Sequence, residues 1–146
     1  MTGLEVLRAI AAGELPAAPF ADLVGLEPVS AEEGRVAFAA VPEQRHENAL
    51  GTAHGGLAAT LLDSAMGCAV HSTLPAGVGY TTLELKVNFT RPITSETGRV
   101  ICEGTVVHRG GRVATAEGRV VAEATGKLLA HATTTCLILS ANSHGA

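Results

Sequence analysis

The sequence predicts an α+β fold in which one long α-helix is wrapped by a curved antiparallel β-sheet. Two observations carry this. From Leu57 to Val70 the chain reads LAATLLDSAMGCAV, apolar apart from Asp63 and small polar residues. A helix that is hydrophobic all round is a buried helix. From Tyr80 onward, long runs alternate apolar and polar residues with the period of two that marks strands. One helix that must hide its whole circumference needs a sheet that curls around it.

The elements follow in order. Residues 3–12 read as a short amphipathic helix, closed by Gly13 and Pro16, and Pro16 and Pro19 mark a loop. Phe20 to Val29 and Gly34 to Val41 are short apolar runs that read as strands, separated by a Ser30-Ala-Glu-Glu-Gly34 turn. Pro42 to Thr52 is polar and irregular. The long helix covers 55–73 and stops before Pro75 and Gly77. Tyr80 to Thr90 sets Thr82, Glu84, Lys86 and Asn88 on one side against Leu83, Leu85, Val87 and Phe89 on the other. Gly98 to Arg109 alternates again, with Val100, Cys102, Gly104 and Val106 on one face. Gly110-Gly111 signals a two-residue hairpin turn. Arg112 to Ala124 is the return strand, Thr125-Gly126-Lys127 a second turn, and Leu128 to Leu139 the last strand. Four strands joined by tight turns form a meander, and a meander curled round one helix is the hotdog fold. The expected organisation is a single domain over 1–146, with its core at about 20–139 and a frayed tail from 140.

Composition narrows the function classes. The chain has 146 residues, of which 47% are hydrophobic and 16% charged, enough to bury a sizeable core. Aromatics make up only 3%, so the core is built of Ala, Val and Leu. A net charge of −4 argues against a non-specific nucleic-acid binder. Cys68, Cys102 and Cys136 form no CxxC pair, which suits thiols used as small hydrophobes in a reducing compartment. No basic region followed by a long apolar run opens the chain, so no signal peptide is expected, and no apolar stretch is long enough to span a bilayer. These features predict a cytoplasmic protein with no membrane partner. His46, His71, His108, His131 and His144 show no paired ligand spacing, so no metal site is expected.

The chemistry centres on Asp63. A carboxylate inside an apolar helix is costly unless something pairs with it or uses it. The same helix opens with His54-Gly55-Gly56, which leaves backbone N–H groups bare at a helix N-terminus. Asp63 lies nine residues after His54, roughly 13 Å along a helix and on about the opposite face. The two cannot share one site within one subunit. They can meet if two such helices run antiparallel across a two-fold axis, and the small residues Ala58, Ala59, Ala65, Gly67 and Ala69 would let the backbones approach. The spacing therefore predicts a homodimer with two sites at its interface, each using both chains. Met66, Gly67 and Cys68 beside Asp63 suggest a small, adaptable pocket.

Asn48, Gly51, His54-Gly55-Gly56, Asp63 and Gly67, followed by Leu83-Glu-Leu-Lys-Val-Asn-Phe-Thr-Arg-Pro92, resemble the phenylacetate-pathway (PaaI-type) hotdog acyl-CoA thioesterases over about residues 20–139. The resemblance implies hydrolysis of an acyl-CoA thioester, with coenzyme A arriving as part of the substrate and no separate cofactor. It makes Asp63 the nucleophile or the general base. The Gly55 N–H would polarise the carbonyl and hold the oxyanion. Asn48 and His54 would orient the thioester or the water, or support the loop. Thr82, or its neighbour Thr81, aligns with a hydroxyl that positions the water. Arg91, Arg109 and Arg112 are candidates for the coenzyme A phosphates. Relatives of this kind act on aromatic or fatty acyl groups and commonly assemble as tetramers of paired dimers, so an aromatic or medium-chain acyl group and a homotetramer are expected. Two other readings stand beside this one. A hotdog hydratase or dehydratase would also use a His and an acid near the central helix, and a non-catalytic acyl-CoA-binding module would keep the groove without needing the acid.

Overall fold

The computed structural model describes residues 1–140. Helix α1 (Gly3–Ala11) starts at a capping box, in which the Thr2 hydroxyl accepts from the Glu5 N–H and the Glu5 carboxylate accepts from the Thr2 N–H. Helix α2 (Pro19–Val24) has Pro at its first position and ends at Gly25, whose φ of 87° lies in the left-handed region that favours glycine. The run from Phe20 is thus a helix at its start and not a strand. Its apolar residues Phe20, Leu23 and Val24 recur at three- and four-residue spacing, which a short window leaves open to either period. Strands β1 (Glu27–Glu32) and β2 (Arg35–Ala40) form a hairpin whose turn is only Glu33-Gly34, tighter than the five-residue turn expected. Helix α3 (Gly55–His71) is the long helix. Strands β3 (Gly79–Phe89), β4 (Val100–Arg109), β5 (Val113–Ala122) and β6 (Leu128–Leu139) complete the chain. The β4–β5 turn is a three-residue Gly110-Gly111-Arg112 loop closed by the Gly110 N–H on the Val113 carbonyl, one residue longer than the Gly-Gly pair suggested.

All six strands join one antiparallel sheet in the order β1-β2-β4-β5-β6-β3. Only β4-β5-β6 is a meander. The four-strand meander expected from sequence is corrected here, because β3 pairs with β6 at the far edge and β2 takes the place beside β4. The ten residues between β3 and β4 are too many for a tight hairpin, and they carry the chain from one side of the sheet to the other. A curved antiparallel sheet around one long helix is the hotdog fold.

The sheet can hold the helix because its middle row is small. Val36, Gly104, Gly118, Ala132 and Val87 are successive cross-strand partners running from β2 to β3. A Cβ on Gly104 would stand 2.5 Å from the Ala65 carbonyl carbon and oxygen, and one on Gly118 would meet Met66 at 2.9 Å. The helix backbone therefore lies directly on the glycine of β4. Ala58, Ala65, Gly67 and Ala69 are buried against their own chain's sheet and strands. These four bring helix to sheet rather than helix to partner helix, which corrects the reason given for them from sequence; the fifth, Ala59, is half-buried.

The sheet does not enclose α3 completely. Gly56, Thr60, Asp63, Ser64 and His71 form a stripe that is exposed or half-buried. The expectation of a helix hidden all round is corrected accordingly, and the stripe left open is the one that carries Asp63. Among the described residues no helix is long and apolar enough to cross a membrane. The tail expected to fray lies, from residue 141 on, outside the described residues.

Candidate active site

Asp63 sits in the middle of α3 with a half-buried carboxylate. The Thr82 hydroxyl donates to its Oδ1 at 2.8 Å. This pairing depends on a β-bulge in β3. Thr82 pairs with Cys136 and Glu84 with Thr135, so Leu83 is the extra residue between them. The bulge reverses the alternation. Tyr80 and Thr82 face inward before it, Leu85 and Val87 face inward after it, and Leu83 is 58% exposed. Uninterrupted alternation would put Thr82 on the polar side with Glu84, so that part of the strand reading is corrected. Bulges recur beside functional sites because they re-aim a side chain in this way. Thr81 is exposed and is not the residue bonded to Asp63.

Asp63 opens onto an apolar-lined cavity of about 260 Å³ that also touches Ser64, Cys68 and Tyr80. Burial pushes the Cys68 thiol up to about 12, and the nearby Asp63 carboxylate adds to the shift, so Cys68 stays protonated as a packing residue. Burial likewise raises the Tyr80 phenol, followed by the influence of Cys68 and Asp63. Tyr80 rests on Gly67, where a Cβ would come within 2.7 Å of the phenol oxygen. Tyr80 was not among the residues singled out from sequence; it shares the register of Thr82, which simple alternation points outward and the bulge turns inward. Of the trio Met66, Gly67 and Cys68, only Cys68 lines this cavity, while Met66 points into the core against Gly118.

The N-terminal end of α3 is a separate place. His54 is the N-cap, and its Nδ1 accepts from the Gly56 N–H at 2.8 Å. The Gly55 N–H, at the first helical position, has no acceptor within the helix and is exposed. Gly55 lines a hollow of about 310 Å³ shared with His54, Phe89 and Arg91. Asn48 uses its side chain on its own loop, with Oδ1 accepting from the Leu50 and Thr52 N–H groups and Nδ2 donating to the Thr52 hydroxyl at 3.0 Å. Gly51 completes that loop with a φ of 83°. Arg109 and Arg112 border a third hollow with Pro75, Val78 and Leu137, beyond the opposite end of α3.

Within one chain, then, the structure brings Thr82 to Asp63, and groups Arg91 with His54 and Gly55. It does not bring either group to the other or to the Arg109–Arg112 hairpin. His46 also escaped the sequence reading. Its Nδ1 accepts from the Glu43 N–H and its Nε2 donates to the Val24 carbonyl, while its own carbonyl accepts from the His54 N–H at 2.7 Å. It ties α2 to the residue that caps α3.

A hotdog fold with a carboxylate on its central helix and a bare amide at that helix's start fits the thioesterase class, and the family match agrees. The chain belongs to the Thioesterase superfamily, whose pattern matches residues 50–129. It is 33% identical to human acyl-coenzyme A thioesterase 13 over 103 residues, covering 70% of this chain and 71% of that protein. It is 43% identical over 76 residues to a Halobacterium salinarum protein named as an esterase, covering 51% of this chain; it spans about half, 48%, of that protein's length. Among solved structures, a Ralstonia eutropha JMP134 protein related to phenylacetic acid degradation superposes with a TM-score of 0.81 at 27% identity, over 90% of this chain and 98% of that one. The Escherichia coli PaaI protein from the phenylacetic acid degradation operon shares the fold, with a TM-score of 0.80 at 19% identity over 93% of this chain and 95% of its own.

Proposed function

We propose that this chain hydrolyses an acyl-CoA thioester to a free acid and coenzyme A, at sites built from two copies of the chain. The observation that carries the reading is the Thr82–Asp63 hydrogen bond at the mouth of an apolar cavity. It holds Oδ1 and leaves Oδ2 free to act. In the water route, Asp63 takes a proton from water as the oxygen bonds to the thioester carbon. The carbonyl oxygen becomes an oxyanion and accepts a hydrogen bond from the Gly55 N–H of the partner subunit. The oxyanion then re-forms the carbonyl as the carbon–sulfur bond breaks, and coenzyme A takes the proton from Asp63 and leaves as the free thiol. In the alternative route the Asp63 carboxylate attacks directly, and water hydrolyses the resulting anhydride. A thioester is electrophilic already, so an activated oxygen and an oxyanion donor suffice without a metal.

The separation of Asp63 from Gly55 supports a dimer in which antiparallel helices exchange their ends, and Phe89 and Arg91 border the Gly55 hollow where the rest of the substrate would pass. His54 serves this site by capping the helix, and Asn48 by holding the loop that leads to it. Arg91, which lines that hollow, would meet a coenzyme A phosphate; Arg109 and Arg112 would do so across the dimer or from a neighbouring one. A homotetramer and a cytoplasmic location complete the proposal.

The test is thiol release from a panel of acyl-CoAs by wild type and Asp63→Asn. The expected loss in Asp63→Asn is about 10²–10⁴-fold in kcat, the usual contribution of a positioned base. Thiol release from no member of the panel would remove the reading in favour of a binding module. Equal rates for the two proteins would remove Asp63 from the chemistry.

A further inference from the structure

The Asp63 cavity has a wall that belongs neither to the long helix nor to the four long strands. Leu7 and Ile10 on α1, and Ala18 and Ala21 on and beside α2, line it together with Phe38 on β2. We infer that α1 and α2 form the acyl-specificity wall of this site, and that the chamber they close admits a single-ring or short-to-medium acyl group and rejects a long fatty acyl chain. This rests on the acyl-CoA reading above.

The lining states the chemistry. Among the described residues Asp63 is the only charged one lining the chamber, so a phosphate finds no cation there; apart from the hydroxyls of Ser30, Ser64 and Tyr80 the lining is apolar and suits an acyl group. The volume of about 260 Å³ falls just under the roughly 300–1,000 Å³ of sites that take drug-sized ligands. Each methylene that enters raises affinity about fourfold until the chamber is full, and the next one must displace the wall.

The wall is fastened at both ends and does not widen freely. The Gly3 N–H donates to the Leu74 carbonyl at 3.0 Å, and α1 starts so close to the end of α3 that a Cβ on Gly3 would sit 1.8 Å from the His71 carbonyl oxygen. Arg8 Nε donates to the Ala31 carbonyl at 3.2 Å, tying α1 to β1. Arg45 and His46 each donate to a carbonyl at the end of α2, at Leu23 and Val24, both at 2.9 Å. The room inside comes from short side chains: Ala18 and Ala21 leave space that a larger residue would fill.

The experiment compares wild type, Ile10→Ala and Ala21→Phe on acetyl-, phenylacetyl-, octanoyl- and hexadecanoyl-CoA, by thiol release and by calorimetric binding. Wild type is expected to favour phenylacetyl- and octanoyl-CoA at least tenfold over hexadecanoyl-CoA in kcat/KM. Ile10→Ala should move the preference toward the longer chains. Ala21→Phe should cut phenylacetyl- and octanoyl-CoA turnover at least tenfold and acetyl-CoA turnover far less, and a thermal unfolding transition like that of wild type shows that the variant folds. An acyl order that is the same in all three proteins, or hexadecanoyl-CoA turned over as well as octanoyl-CoA by wild type, overturns the wall. If wild type releases thiol from none of the four, the hydrolysis reading falls, and the order of the calorimetric Kd values across the same series and variants then decides for or against the wall.

Discussion

One extra residue in β3 decides which hydroxyl meets the carboxylate. Leu83 bulges out, and Thr82 turns inward to donate to Asp63 at 2.8 Å. A hydrogen bond to a charged acceptor contributes about 1.5–3 kcal/mol. Removing the hydroxyl with its shape kept, Thr82→Val, should therefore cost about 10–100-fold in kcat/KM on the best acyl-CoA. Thr82→Ser should recover most of it. A Thr82→Val protein as fast as wild type would leave the hydroxyl with no part in the reaction. The choice between Thr81 and Thr82 is not readable from the local pattern. Simple alternation points Leu83 inward and Thr82 outward, and only the pairing of β3 with β6 shows where the count slips. Asp63 is different: a lone carboxylate in an apolar run stands out from sequence because burying it is costly whatever surrounds it.

At the scale of elements, the close seat of α3 on the sheet rests on Gly104 and Gly118, neighbours in the row beneath Ala65 and Met66. Gly104 faces backbone, which cannot swing away, so Gly104→Ala should destabilise by about 3 kcal/mol or more through overpacking. Thermal unfolding should show a drop in Tm of roughly 10 °C. An unchanged Tm would mean that the sheet can draw back from the helix at no cost. The helix itself was legible in sequence because its apolar run is long and ends at Pro75 and Gly77. The first half of β4, with Val100, Cys102 and Gly104 buried, was legible from its period of two. The glycines were visible too, but their purpose depends on which strands lie under the helix, and that is a tertiary fact. The position of β3 at the far edge was hidden likewise. Local pattern says that a strand exists; the ten-residue connection that carries the chain across the sheet decides its neighbour. The opening of α2 misled because six residues are too few to separate a helical period from a strand's.

At the scale of the whole molecule, one chain keeps the two groups of the proposed site apart. Asp63, held by Thr82, lines the apolar chamber, and exposed Gly55 lines a different hollow with Arg91. The separation was legible from helical rise alone, since eight residues from Gly55 to Asp63 amount to about 12 Å. In the proposed dimer a second copy joins the two groups, and complementation tests this most directly. Gly55→Pro deletes the N–H at the one helical position that favours proline, and His54, with φ −57° and ψ 137°, already has the extended backbone that a residue before proline adopts. Phe89, the nearest side chain, is 59% exposed and free to give way. Gly55→Pro and Asp63→Asn should each be nearly inactive alone. In a mixed dimer with shared sites, one site carries both lesions and the other carries neither. Co-expressing the two variants should then restore about a quarter of wild-type thiol release, since about half of the two-fold dimers are mixed and each has one intact site. No recovery from mixed dimers of two folded variants would show that the site lies within a single chain.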